Sequence, residues 1–181
     1  QLRVYSYLDR MQPQYAAFIG TITQGDLPTA GMAAMYIEVA PGNEVFRLVD
    51  NAVKTTEAKP GAQLVEREFG MFEIHSHAQA EVLEAGRIVL DRLGLHEAER
   101  IKPFIASVQV ITNVDPYQAQ LINRFRRGSM IVPGETMLVL ECAPAAYINY
   151  AANEAEKGAS IKLIHISGLG RFGRMWLSGS E

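Results

Sequence analysis

Four histidines and one cysteine in 181 residues bound the chemistry open to this chain. His75-Ser76-His77 has the i, i+2 spacing that puts two side chains on one face of a strand, so two imidazoles could reach one metal ion. No third ligand falls into place beside them, and two surface histidines at a strand end account for the pair without a metal. His96-Glu97-Ala98-Glu99-Arg100 opens like a zinc-protease helix but lacks the second histidine four positions on. Cys142 ends the apolar run Leu138-Val139-Leu140-Glu141-Cys142, the setting of a small buried thiol rather than a nucleophile. A lone cysteine forms no intrachain disulfide and no metal cage. The loop Ser167-Gly168-Leu169-Gly170-Arg171-Phe172-Gly173 is glycine-rich, yet a strand rather than a helix follows it, so it is neither a phosphate cradle nor a dinucleotide fingerprint. Arg124-Phe125-Arg126-Arg127 would present arginines on more than one helix face, which suits a solvated helix end, an interface or an anion contact better than a duplex footprint. These residues make no positive case for catalysis, a metal or a cofactor.

Composition narrows the class further. Apolar residues make up 48% and charged residues 20%, enough for a real core, and 17 basic against 20 acidic residues leave a net charge of −3. That balance disfavours a nucleic-acid binder. No apolar stretch approaches the roughly 18–20 residues that span a bilayer. The start, Gln1-Leu2-Arg3-Val4, lacks a signal-peptide layout, so a reducing cytoplasm is the expected setting.

The elements that must position these residues come in two copies. A gapless shift of 103 residues aligns Pro13–Ala78 with Pro116–Glu181 and pairs Gly25 with Gly128, Gly31 with Gly134, Glu38 with Glu141, Pro41 with Pro144, Lys54 with Lys157, Phe69 with Phe172 and Gly70 with Gly173. Glycines and prolines recurring where backbone geometry is restrictive mark a repeated fold. Arg3–Leu8 and Ser107–Thr112 read as strands, and Pro13–Thr23 and Pro116–Arg126 as helices opening on proline. Strands Met35–Val39 and Leu138–Cys142 come after them. Helices are next, carrying the apolar stripes Val45, Leu48, Val49, Ala52 and Val53 in one copy and Ile148, Ala151, Ala152 and Ala155 in the other. Ala62–Glu66 and Met71–His75 form a hairpin through Phe69-Gly70, matched by Ile161–Ile166 and Met175–Ser178. His77–Leu93 is amphipathic and Gly94 is placed to end it; copy two stops at Glu181 before any equivalent. Two full copies would exceed the chain by roughly 25 residues, so the native chain is expected to continue beyond Glu181.

This order of parts resembles the shell proteins of bacterial microcompartments, in particular their tandem-domain members. The residues that carry it are Tyr36–Val39, Asn51-Ala52-Val53-Lys54, Arg67-Glu68-Phe69-Gly70-Met71-Phe72-Glu73-Ile74 and His77–Leu93. Leu138–Cys142, Glu154-Ala155-Glu156-Lys157 and Arg171–Leu177 supply the second set. The strands Leu2–Leu8 and Ser107–Thr112 precede the rest of their copies, as in the circularly permuted members.

The resemblance implies an α/β fold, an α+β sandwich of two tandem permuted shell domains (1–103 and 104–181), the second lacking its last helix. It implies a homotrimer imitating a hexagonal tile, joined edge to edge with other shell proteins in a cytoplasmic microcompartment shell, with a central pore for small metabolites. Lys54 and Lys157 would be tile-edge residues, their long stems packing while the ammonium reaches carbonyls across the seam. Glu68, Phe69, Gly70, Arg171, Phe172 and Gly173 would line the pore: the glycines for a tight turn, the phenylalanines to narrow it, Glu68 and Arg171 alternating in charge. No cofactor, nucleic acid or membrane is implied. The competing readings are a small-molecule sensor with ligand between the repeats, and a metal enzyme using His75 and His77.

Overall fold

A computed structural model describes residues 1–180. Copy one runs β1 (Leu2–Leu8), α1 (Pro13–Gly20), β2 (Ala33–Val39), α2 (Glu44–Thr55), β3 (Lys59–Glu66), β4 (Phe69–Ser76) and α3 (Gln79–Leu93). After a short 3₁₀ turn, Glu97–Glu99, copy two runs β5 (Phe104–Ile111), α4 (Pro116–Phe125), β6 (Thr136–Ala143), α5 (Tyr147–Gly158), β7 (Lys162–Ser167) and β8 (Gly173–Gly179). Each copy folds its strands into one antiparallel sheet, ordered β1-β2-β4-β3 and β5-β6-β8-β7. The first strand of each copy pairs with the second rather than coming after the last helix, which is the permuted order. The expected continuation beyond Glu181 lies outside the described residues.

The 103-residue register holds down to irregularities. A register shift between Leu2 and Val4 recurs between Ile105 and Ser107, and one between Pro60 and Ala62 recurs between Leu163 and His165. Gly31 and Gly134 both adopt positive φ, 91° and 89°. Gly25 and Gly128 recur for another reason: a Cβ there would meet a strand carbonyl, Pro60 O or Leu163 O.

Several elements differ in length from the sequence reading. α1 ends at Gly20 because Thr21 and Ile22 bond to the carbonyls three residues back, tightening the last turn. β3 begins at Lys59 and contains Pro60, which an edge strand tolerates because its outer N–H needs no partner. Gly94 closes α3 as expected, at φ 66°.

The amphipathic pattern explains the packing. In copy one, α2 (Val45, Leu48) and α3 (Val82, Val89) cover one sheet face, burying Met35, Ile37, Phe72 and Ile74. The opposite face offers Val4, Leu8, Ala34 and Tyr36, and these join α1 and residues of α5 (Ile148, Ala152) in one continuous cluster. The two copies therefore share a core rather than hanging on a linker.

Candidate functional site

The two hairpin loops of the chain come together. β3 and β4 are joined by Arg67-Glu68, with Arg67 at φ 55°; β7 and β8 are joined by Gly168–Phe172, with Gly170 at φ 85°. Although 103 residues apart in register, both loops line one concave pocket of about 490 Å³, made by Glu66, Arg67, Glu68, Phe69, Gly170 and Arg171. The pocket wall thus carries carboxylates from copy one and a guanidinium from copy two. Arg67, not singled out in the sequence, lies in the same turn and adds a second base; its place next to Glu68 was the available signal.

One expectation about these loops needs correction. Gly70 and Gly173 do not make the turns. They sit in β4 and β8, where a Cβ would fall within 2.2 Å of Gly42 O and 2.1 Å of Ala145 O. Their role is to let the strand approach the segment that opens α2 or α5. Phe69 lines the pocket, but its ring lies under the Arg3 guanidinium, 3.5 Å from carbon to ring centroid, so it is held against its own copy. Phe172 lies 5.2 Å from the Arg171 guanidinium.

The matching lysines occupy unlike surroundings. Lys54 ends α2 with its side chain 68% exposed and pairs with Asp50 one turn back, at 2.6 Å. Lys157 ends α5 at 28% exposure and reaches Asp9 of copy one at 2.6 Å and Glu154 at 2.9 Å.

Lys157 is one rung of a polar ladder by which α5 grips copy one. Ala146 N–H donates to Glu38 at 3.0 Å, and Glu38 also holds the Arg3 guanidinium at 2.6 Å. Burial pushes the Glu38 carboxyl up from its ordinary pKa, opposed by those two donors. The hydroxyls of Tyr15 and Tyr36 share a hydrogen bond of 2.6 Å, and Tyr15 donates to Asn149 Oδ1 at 3.1 Å. Asn153 accepts from Gln12 N–H and donates to Arg10 O, and Glu156 accepts from the N–H groups of Gln14 and Tyr15, both at 2.9 Å. α1 has no side-chain cap of its own, so Glu156 of the other copy satisfies its orphan donors.

The histidines depart from the reading as a surface pair. His75 is fully buried, with Nδ1 2.9 Å from Glu73 and Nε2 3.1 Å from Asp26. Burial pulls its pKa down, but the two carboxylates outweigh that and the net shift is upward; burial likewise raises Glu73. Glu73 and His75 share a strand face at i, i+2, a signal that was present but unread. His77 lies beyond the strand, exposed. The two imidazoles do not converge, and among the described residues no group of three or more His, Cys, Asp or Glu is placed to hold a metal.

The remaining motifs are structural in their contacts. Cys142 is buried, and burial with the nearby Glu38 charge pushes its thiol up to about 11. Arg127 donates to Thr21 O of copy one, and Phe125 packs edge-on against His165 and Trp176. A cavity of about 340 Å³ lies where the copies meet, between Ile19, Tyr36, Met71, Asn149 and His165. No described helix is long and apolar enough to cross a membrane.

Comparison with known proteins gives this geometry its setting. Residues 2–99 match the CsoS1D N-terminal domain. Over its whole length the chain is 51% identical to the carboxysome shell protein CcmP of Synechococcus elongatus, covering 85% of that protein. It is 44% identical to the carboxysome shell protein CsoS1D of Hydrogenovibrio crunogenus, covering 100% of this chain and 89% of that one. The fused permuted hexameric shell protein MSM0275 from the RMM microcompartment superposes with a TM-score of 0.97 at 43% identity, over 100% of this chain and 89% of that one. The double ringed trimeric shell protein MSM0271 from the same microcompartment gives 0.94 at 35% identity, over 99% and 88%. Twin permuted α+β units fused through one core are thus the architecture of a tandem-domain microcompartment shell protein. Within that class the chain belongs to the CsoS1D and CcmP family of shell proteins. A sensor or a metal enzyme, the readings that competed at the outset, is not what its relatives are.

Proposed function

We propose that the chain is a structural, non-catalytic shell tile that closes as a homotrimer, its six domains (1–103 and 104–181 from each chain) forming a plate with pseudo-sixfold symmetry. Neighbouring tiles meet at edges that include Lys54 and Lys157, and a central opening framed by Glu68, Phe69, Arg171 and Phe172, with Gly70 and Gly173 packing the strands behind it, passes small metabolites. The observation that carries this reading is the single pocket shared by the two hairpin loops of one chain. Loops that face each other within a chain would face each other around a ring of three.

Glu68 and Arg171 would then alternate around the opening, with Arg67 and Glu66 behind them, so the rim would be polar with little net charge. At the tile edge Lys54 has only one exposed pairing to give up, whereas Lys157 is held by two carboxylates. Lys54 is therefore the freer of the two to reach across a seam.

Passage of a small anionic metabolite through shells assembled with Arg171→Glu tests the opening. Reversing three charges should slow an anion relative to a neutral solute of the same size. Equal passage before and after reversal would remove the loops from the path.

A further inference from the structure

We propose that Asp26, His75 and Glu73 form a latch closed by a single proton, which fastens the segment Gln24–Leu27 to the edge strand β3 and, with it, one side of the cavity between the copies. Both ring nitrogens of His75 face a carboxylate: Nδ1 lies 2.9 Å from Glu73 and Nε2 3.1 Å from Asp26. An ionised carboxylate only accepts, so two such contacts need two hydrogens, and a neutral imidazole carries one. The second is an added proton, held on the ring or on Glu73, which titrate as a pair. When it leaves, a nitrogen lone pair and a carboxylate are left facing each other, and one contact must open.

Burial decides which one opens. Glu73 is fully buried two residues from His75 on the same strand and cannot withdraw. The Asp26 side chain is 50% exposed on a loop, where water can take it. Besides Asp26, backbone bonds hold the segment to β3. Gln24 and Gly25 N–H both donate to Gly61 O, at 3.1 and 2.9 Å, and Asp26 N–H donates to Pro60 O at 2.9 Å. Gln24, Gly25, Asp26 and Leu27 are all exposed, so little apolar burial backs these bonds. The chain on either side is tied down separately, by Arg127 donating to Thr21 O and by Gly31 N–H donating to Met11 O. Release of Asp26 therefore frees a short stretch rather than the whole loop. Gln24 lines the cavity together with Ala62 and Leu64 of β3, so that stretch is part of the cavity wall.

Copy two keeps the backbone ties and omits the ionic group. Gly128 and Ser129 N–H donate to Ile164 O and Leu163 O, at 2.9 and 2.8 Å, in the same register as Gly25 and Asp26 on β3. The counterparts of Asp26, Glu73 and His75 are Ser129, Trp176 and Ser178. The edge strand is fitted accordingly. A Cβ on Gly61 would collide with Glu73 Oε2 and press on His75 Cε1 at 3.2 Å, whereas the counterpart of Gly61 is the fully buried Ile164. Among the described residues, the other ionisable groups facing the pair are Lys59, Tyr36 and Tyr15. Lys59 is exposed and opposite His75 in the strand register; the phenols are buried, which keeps them neutral. Burial lowers the His75 pKa, but Glu73 and Asp26 raise it by more, so the latch is closed at 6.5 and opens as pH rises through the folded value.

Amide hydrogen exchange on the whole protein tests the latch, read as protection over the intrinsic rate at each pH. From about pH 6 to about pH 9, protection of the Gly25 and Asp26 amides should fall about thirtyfold, the worth of one charge-assisted hydrogen bond. Protection of Gly128 and Ser129 should stay level. Asp26→Asn should keep the segment closed across the range, because its amide accepts from the protonated ring and donates to the neutral one. Asp26→Ala should leave it open throughout. Both changes fall on an exposed loop residue, so circular dichroism should show unaltered folding. Protection at residues 25 and 26 that ignores pH, or a fall matched at Gly128 and Ser129, would overturn the latch. So would a fall that Asp26→Asn leaves in place, or full protection in Asp26→Ala at about pH 6.

Discussion

Strands β1 and β5 hold the same place in their copies and live in different surroundings. β1 alternates buried with half-buried residues, enclosed by α3 on one face and by α1 and α5 on the other. Along β5 only Ser107 is even half-buried; Ile105, Val108 and Val110 stand open to solvent. The difference lies less in the strands than in what the chain supplies to cover them. Ile105, Val108 and Val110 stand where Leu2, Tyr5 and Tyr7 pack against the α3 side in copy one, and among the described residues copy two has no counterpart of α3. Two strands at one place in the repeat thus differ in exposure because of the helices laid over them. The same contrast appears in the sheets: Glu73 and His75 of copy one correspond to Trp176 and Ser178 of copy two, a buried ionic group against an aromatic one.

The largest expected effect falls on that last contrast. His75→Ala leaves the Glu73 carboxyl buried without its imidazole and should destabilise the fold by about 3 kcal/mol. Ser178→Ala, at the matching position, loses a single hydrogen bond to Glu135 and should cost about 1 kcal/mol. Urea unfolding of the two variants separates them; equal losses would mean that the buried charges of copy one count for nothing. Helix capping gives the next contrast. Glu156→Ala strips two charge-assisted bonds from α1 across the copy boundary and should cost about 2 kcal/mol, against about 1 kcal/mol for Asp115→Ala at the self-capped α4. A loss at Glu156 no larger than at Asp115 would show that the cross-copy cap is dispensable.

A smaller effect tracks pH. His75 has a raised folded pKa, so its contribution is whole below its unfolded value of 6.5 and fades as pH rises through the folded value. Glu73, also raised, acts in the same sense, because above 4.5 the folded chain keeps a proton that the unfolded chain gives up. Melting temperature should therefore fall as pH rises above 6.5. A chain carrying both Glu73→Gln and His75→Asn should lose that slope. An unchanged slope in the double variant would assign the dependence to other groups.

How much of this was legible in the sequence depended on the range of the interaction. The repeat, the succession of strands and helices along the chain and the turn glycines were readable because each is imposed by local pattern and backbone geometry, as at Gly31 and Gly134. The hairpin was found but its turn was misplaced: Gly70 suggested a turn, while the structure needs it for the approach of Gly42 and leaves the left-handed residue to Arg67. His75 looked like a surface residue at a strand end because Asp26, which covers it, lies 49 residues away. The ladder from Ala146 to Lys157 was hidden for the same reason, since each of its partners in copy one is more than 100 residues distant. Of the expected loop residues, Glu68, Phe69 and Arg171 meet in one pocket, while Gly70 and Gly173 serve the packing behind it.

The mass of the assembled particle bears most directly on the central claim. Sedimentation equilibrium should return three chains of 20.0 kDa across a wide range of concentration. A particle of one chain that never associates would contradict it.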